Sequence, residues 1–414
     1  MTRWGPLFRA FGRIGVLSFG GPAAQIALMH RELVEERKWV SEEEYLSALS
    51  FCMLLPGPEA MQLATWIGWR LKGVAGGLLA GLLFVLPGAA VVLALSAIYA
   101  ALGQLPLVAA LFTGVQAAVV AVVIEALLRV SKRALKSRAH WVTAGLAFLA
   151  LFVFGLPFPA VILAAGLYGF VTAQGKPLPQ DLPQPWAESL RAVLIWGSVW
   201  LLPLAALVLW SPGIYADIAV FFSKLAVVTF GGAYAVLAWM TQAVVQDKQW
   251  LTLRQMMDGL GLAETTPGPL ILVTEFVGYV AAYKTDGWRG GAFAALVTLW
   301  MTFAPCFLWI FAGAPWIARL TAAPRLSGAL KSITAAVVGV IANLSLWFAA
   351  HVFFGQIGRI DAYGLHAILP DPTSLRPIPA ALALVAAYLL LVRHWSLALV
   401  LALAAITSAG VAFV

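Results

Sequence analysis

Two short backbone-breaking motifs occur twice in this chain at one spacing. Phe19-Gly20-Gly21 returns as Phe230-Gly231-Gly232, and Pro56-Gly57-Pro58 returns as Pro267-Gly268-Pro269, each 211 residues later. Proline lacks a backbone donor and blocks the preceding helical turn. Glycine opens conformations closed to other residues. Inside an apolar segment such motifs break a helix, and the freed N–H groups must then face protein or water. A half-helix also starts with free amides and a positive dipole end, which suits an oxyanion. Two cations are repeated at the same offset. Arg13 and Lys224 each lie six residues ahead of the motif's Phe19 or Phe230. Basic side chains within a membrane usually face the bundle interior, so a pair beside the breaks would draw a dianion. The equivalent hydroxyls Ser18 and Thr229 adjoin the glycines. The expected binding set is Arg13, Ser18, Gly20, Gly21, Pro56, Gly57, Pro58, Lys224, Thr229, Gly231, Gly232, Pro267, Gly268 and Pro269. The plainer alternatives are packing kinks for the motifs, an interfacial anchor for Arg13 and a snorkelling stem for Lys224.

The acids follow a different rule. Glu59, Glu264 and Glu275 surround the two Pro-Gly-Pro motifs, yet Leu270, Met53 and Ala64 stand at their counterparts. Glu125 lies in an apolar run whose matching run carries Asn343. Buried carboxylates can carry protons, so Glu59, Glu125, Glu264, Glu275 and Asn343 are candidates for coupling. Structural carboxylates are the alternative, with Glu125 simply paired to Arg129. Gln25, Gln62 and Thr274 could bond substrate or a neighbouring helix.

These residues need elements to hold them. The 414 residues are 62% hydrophobic and 11% charged, against about a quarter charged in a soluble domain. Apolar runs cover 8–29, 46–68, 76–101, 106–130, 141–155 and 158–173, then 190–210, then 217–241, 256–282, 291–316, 328–353, 378–392 and 395–414. Long apolar runs of this kind are membrane segments. The expected fold is all-α, a polytopic transmembrane bundle of two homologous repeats with helices broken at the Gly/Pro motifs. The expected parts are 1–175, a proline-rich linker with one connecting helix at 176–212, and 213–414. Six segments per copy plus one connecting crossing would set the second copy upside down, the inverted-repeat arrangement of many secondary transporters. If the N-terminus is cytoplasmic, the basic loop Arg129 to Arg138 falls inside and the uncharged loop near 103 outside. Three stretches then fall outside against the rule: His30 to Glu44 with Arg31, Arg37 and Lys38, although six glutamates accompany them; Lys284 and Arg289; and the 354–378 loop with Arg359 and Arg376.

The net charge is +8, but the bases sit in short loops and form no aromatic-lined groove, so no nucleic-acid partner is expected. No phosphate loop, nucleophile elbow or zinc spacing is present. No cofactor, metal or catalytic set is therefore expected. Cys52 and Cys306 lie in apolar segments and do not correspond in the repeat, so packing is their default role.

The motifs resemble the chromate transporter family in its long, two-domain form. The resemblance rests on SFGGP (18–22), RKWVS (37–41), LLPGPEAMQLATWIGW (54–69), FVLPG (84–88), TFGGAYAVLAWM (229–240), DKQWL (247–251) and TTPGP (265–269). It implies a multi-pass protein of the bacterial cytoplasmic (inner) membrane that exports chromate and confers resistance, driven by a proton gradient or membrane potential. Ala233 departs from the first half's Pro22. Chromate is close to sulfate in shape, so sulfate is an expected competitor. A sulfate or other oxyanion transporter is the rival reading. A membrane-embedded enzyme and a passive anion channel stand behind it. The sequence leaves oligomeric state open, with a homodimer among the options, and places the chain in the lipid bilayer.

Overall fold

The computed structural model describes residues 3–174, 185–230, 233–362 and 365–412. In chain order the helices are α1 (Trp4–Leu17), α2 (Gly21–His30), α3 (Glu42–Cys52), α4 (Glu59–Leu102), α5 (Pro106–Ala134), α6 (Arg138–Phe152), α7 (Phe158–Thr172), α8 (Trp186–Trp210), α9 (Ile214–Val228), α10 (Ala233–Gln242), α11 (Leu253–Thr265), α12 (Val273–Gly313), α13 (Ile317–Ala322), α14 (Pro324–Phe353), α15 (Pro377–Ala387) and α16 (Leu397–Ala412). The fold is all-α, apart from one antiparallel hairpin, β1 (Ile357–Ala362) and β2 (Leu365–Pro370), paired from Ile357 with Pro370 to Ala362 with Leu365. The hairpin occupies the gap between the apolar runs 328–353 and 378–392. Most of the expected linker, residues 175–184, lies outside the described residues; α8 begins at Trp186.

Among the described residues, five helical stretches are long and apolar enough to cross a membrane: Glu59–Leu102, Pro106–Ala134, Trp186–Trp210, Leu270–Ala322 and Pro324–Phe353. Two of these are folded back on themselves. In α4 the helical path breaks at Lys72 and Gly73, where Gly73 takes φ 64°. A Cβ on Gly68 would lie 2.3 Å from the Gly76 carbonyl oxygen, and one on Gly81 would lie 2.5 Å from Thr65 Oγ1. Arms 59–71 and 74–102 are therefore antiparallel and nearly touch, which small residues alone permit. In α12 the turn is at Gly287, φ 63°, and Gly278 faces Thr298 in the same way.

The Gly/Pro breaks also turn the chain back. A straight helix would separate Arg13 from Glu32 by about 28 Å, yet Arg13 Nη1 lies 3.0 Å from Glu32 Oε1. So α1 and α2 form a hairpin with Ser18 to Gly20 at its tip. Glu44 and Arg70 would be about 39 Å apart on one helix, yet their side chains meet at 3.0 Å. So α3 and the first arm of α4 form a second hairpin, with Pro56-Gly57-Pro58 at its tip. The sequence leaves open whether runs 8–29 and 46–68 span or re-enter, and these contacts turn both back. Runs 8–29 and 46–68 enter and leave on one side, and His30 to Glu44 lies on the side of the N-terminal residues. Lys72 stacks on Trp4 at 5.6 Å on that same side. The misfit of 30–44 to the charge rule disappears with the extra crossing, whereas those at Lys284 and Arg289 and at Arg359 and Arg376 are untouched by it.

The repeat extends to fine detail. The helix after each Phe-Gly-Gly closes in a π-turn, at Arg31–Glu36 and Ala243–Asp247. A basic residue follows, then a left-handed residue, Lys38 (φ 52°) or Gln249 (φ 53°), then a tryptophan. Arg37 lies over Trp39 at 5.2 Å and Lys248 over Trp250 at 5.0 Å. A third example, unnoticed in the sequence, ends α15: a π-turn at Tyr388–Val392, His394 at φ 53°, then Trp395.

The chain forms two compact units. The first comprises 1–100, 175–233 and 262–324; the second comprises 101–174, 234–261 and 325–414. Each draws on both sequence halves. In the first unit, α1 packs on the second arm of α4, where a Cβ on Gly15 would meet the Leu83 carbonyl at 2.0 Å. The connecting helix α8 is pinned there by Ser189 Oγ donating to Ala312 O at 2.8 Å and by Trp200 Nε1 donating to Ser223 Oγ at 3.1 Å.

Candidate functional site

The ends of α1 and α9 and both Pro-Gly-Pro motifs meet crosswise in the first unit. Gly268 N–H, in the second Pro-Gly-Pro, donates to the Ser18 carbonyl at the end of α1 at 2.9 Å. Gly57 N–H, in the first Pro-Gly-Pro, donates to the Thr229 carbonyl at the end of α9 at 2.8 Å. Ser18 and Thr229 are equivalent, as are Gly57 and Gly268, so the two bonds are one interaction made twice. Reciprocal exchange of this kind is the mark of a two-fold relation. Both bonds need the glycines: Gly57 has φ 121° and Gly268 φ 91°. All three residues of each Pro-Gly-Pro are buried.

Several groups of the expected donor set are bonded within the chain. The amides of Gly57 and Gly268 are spent on chain carbonyls rather than left open. The hydroxyls are spent too: Ser18 Oγ donates to Ile14 O and Thr229 Oγ1 to Leu225 O, both at 2.6 Å. What remains open is the start of α2. Gly20 (φ 84°) and Gly21 (φ 76°) carry the chain into a helix with no side-chain cap, and Pro22 has no N–H to place there. Gly20, Ala23 and Ala24 are exposed, and a Cβ on Gly21 would meet nothing within 4 Å. That half-helix presents uncapped amides and a positive dipole end. Its counterparts Gly231 and Gly232 lie outside the described residues.

Long polar side chains surround the crossed bonds. Gln25 Nε2 donates to Gly268 O at 2.7 Å and to Ser18 O at 3.3 Å, so it bridges one of the two pairs. Val236 holds the matching place, and the other pair has no such bridge from there. Gln62 Nε2 donates to Pro56 O at 2.7 Å. The Oε1 atoms of both glutamines are buried without a hydrogen-bond partner. Cys306 Sγ closes on Gly57, and Gly88 closes on Gly268: added Cβ atoms would stand 2.9 Å and 3.4 Å away. Both cysteines are free and buried. Thr274 Oγ1 donates to Ile271 O at 2.8 Å.

The two repeated cations differ in setting. Both are exposed. Arg13 is ion-paired with Glu32, which is fully buried and also lies 3.4 Å from Arg37. Glu32 corresponds to Ala243, so the second copy lacks that carboxylate. Among the described residues Lys224 has no ion-pair partner, and it stands five residues, roughly 7.5 Å along the helix, from Thr229. Glu32 was absent from the expected site; its distance from Arg13 in sequence hides the pair until the hairpin is known.

The acids divide as well. Glu275, six residues past Pro269, is wholly buried, and neither carboxylate oxygen has a partner. Glu59 and Glu264 are half-buried and engaged. Glu125 pairs with Arg129 one turn along α5, in the second unit, as the plainer reading had it. Asn343 is half-buried on α14 in that unit. Glu125 and Asn343 are thus not gathered into the first unit with the breaks.

A family model described as chromate transporter matches residues 5–170 and 216–409. A probable chromate transport protein of Synechococcus elongatus is 31% identical over 377 residues, 88% of this chain and 91% of that relative. Chromate transport proteins of Pseudomonas aeruginosa and Cupriavidus metallidurans are 34% and 31% identical, over 81% and 80% of this chain and 78% and 79% of their own lengths. No solved structure matches the chain.

Proposed function

The chain belongs to the chromate transporter family and is a multi-pass membrane protein; from that premise we propose that it is a secondary transporter exporting chromate across a bacterial cytoplasmic membrane. Export is driven by the proton gradient or the membrane potential and confers chromate resistance. The observation that carries this reading is the crossed pairing of two half-helix ends with two Pro-Gly-Pro amides, beside an uncapped half-helix start. Broken helices from two repeats meeting at one place are the usual build of a secondary transporter's binding site. Chromate is a tetrahedral dianion. The α2 amides at Gly20 and Gly21 supply donors and a dipole, and Lys224, with no ion-pair partner among the described residues, supplies a charge. Arg13, already paired, sets the hairpin rather than the ligand.

Glu275 is the coupling group in this proposal. A carboxylate removed from water needs a proton or a cation as partner, and no side chain among the described residues bonds to it. In this proposal the N-terminus is cytoplasmic, with the bases of 30–44 and 70–72 on its side. The first-copy hairpins remove two crossings together, so the parity that inverts the second copy is unchanged.

The test is chromate uptake into everted vesicles under an imposed proton gradient. Uptake should follow the gradient and fall as sulfate is added in excess, because amides and one cation read shape and charge rather than the central atom. Uptake indifferent to both gradient and membrane potential would turn the reading toward a passive channel. Growth rescued on limiting sulfate but not on chromate would turn it toward sulfate transport.

A further inference from the structure

A wide apolar groove lies in the second unit and has no part in the site above. It measures about 690 Å3. Its walls are α6, from Ala139 to Ala150, and α7, from Ala160 to Tyr168. Its floor includes Ala336 of α14, which is wholly buried. The two walls leave the 153–157 turn and reach α14 at different places. A Cβ on Gly339 would lie 2.2 Å from the Ala144 carbonyl oxygen, and one on Gly169 would lie 2.3 Å from the Gly328 carbonyl oxygen. Gly328 and Gly339 are roughly 16 Å apart along α14, so the arms splay and leave a wedge between them. Thr143 Oγ1 is spent on Ala139 O at 2.9 Å. Tyr168 brings its hydroxyl only at the end away from the turn. A hydrated ion finds little to bond along these walls.

Charge is confined to that same end. The turn 153–157 and all of α7 carry no charged residue. Lys132, Arg133, Lys136 and Arg138 gather at the start of α6, and all four are exposed. Lys136 Nζ gives one of its three donors to Lys132 O, at 2.8 Å. Arg325, in the first turn of α14, lies over the Phe170 ring near the end of α7 at 5.7 Å. No aspartate or glutamate occurs in α6, α7 or α14. The nearest acid before α6 in sequence, Glu125, is paired with Arg129. From Ala139 to Ala150 the groove runs roughly 16 Å, about half of a ~30 Å hydrocarbon core. Apolar walls of one-leaflet length with bases at one end match one phospholipid, its chain between the helices and its negative headgroup at the bases. A second copy docked by this face about a two-fold axis would instead set these bases against their own equivalents.

We propose that this groove holds one anionic phospholipid, with an acyl chain between α6 and α7 and the phosphate at the end that carries Lys136, Arg138 and Arg325. The lipid fills the wedge that the splayed arms leave open. The inference rests on the shape and charge of the second unit and not on the transport reading.

Native mass spectrometry of the purified full chain in mild detergent tests it, with phosphatidylglycerol and phosphatidylcholine of identical chains added in graded amounts. Phosphatidylglycerol should fill one saturable site at about a tenth of the phosphatidylcholine concentration or less. Lys136→Gln with Arg138→Gln and Arg325→Gln should erase that preference and leave phosphatidylcholine binding as it was. Ala160→Leu with Ala164→Leu fills the groove from two exposed positions. It should weaken both lipids alike and leave the thermal midpoint of the lipid-free protein unchanged. The two variants separate headgroup from chain, which a folding defect would not do. Equal binding of the two lipids by the parent, or an undiminished preference in the triple glutamine variant, overturns the proposal. A dimer of the lipid-free protein that Ala164→Leu disperses gives the groove to a second copy and overturns it as well.

Discussion

Arg13 and Lys224 hold the same place in the two copies but not the same electrostatic position. Glu32 takes up the charge of Arg13 in the α1–α2 hairpin, whereas Lys224 has no such partner among the described residues. Replacing them should therefore give different phenotypes. Lys224→Ala should abolish chromate resistance with normal protein in the membrane, as immunoblots and growth on chromate would read. Arg13→Ala should chiefly lower the amount of folded protein, with the remainder still transporting. Retained resistance in Lys224→Ala removes that residue from the site. Glu275→Gln keeps the shape of a side chain buried without partners and deletes its capacity to take a proton. Chromate flux in that variant should lose its response to an imposed pH gradient while keeping its response to membrane potential. An unaltered pH response rejects Glu275 as the coupling group.

The hairpins are held by the absence of side chains as much as by their presence. Gly88 faces Pro267 so closely that an added Cβ would lie 2.2 Å from the Pro267 carbonyl oxygen. Gly88→Val must push the second arm of α4 away from the second Pro-Gly-Pro and should eliminate transport, with reduced protein recovered from membranes. Gly145→Ala, where nothing lies within 4 Å, should be neutral in the same assays. The breaks themselves were legible in the sequence because Gly and Pro act through the backbone, which a one-dimensional pattern records. The direction of the chain after each break was not legible. A periodic apolar run reads alike whether it crosses the bilayer or turns back, and only the contacts Arg13–Glu32 and Glu44–Arg70 decide it. The hairpin β1–β2 was hidden for another reason: it lies between two strong helical signals, and its Pro370 and Gly358 weaken the strand pattern.

The two halves of the sequence are not the two units of the molecule. The first unit takes α1 to most of α4 from one copy and α9 and α12 from the other. Neither half can then complete the crossed bonds alone, since each bond needs a carbonyl from one copy and an amide from the other. Separate expression of 1–175 and 213–414 should give no chromate flux, and co-expression should restore it. Flux from either half alone would place the site within one repeat. The repeat was fully readable from residue identities, but its consequence was not. Offset alone cannot tell whether equivalent motifs pair with each other or exchange partners.

The exchange of partners makes the molecule a balance with two arms. A rearrangement that parts Gly268 from Ser18 has a counterpart that parts Gly57 from Thr229, and a perfect repeat would give the two equal cost. Gln25 clasps only the first pair, so the arms are weighted unequally and one resting posture is preferred. Taking that weight away with Gln25→Ala should level them, seen as a shift in which membrane face labels a cysteine introduced at Gly20.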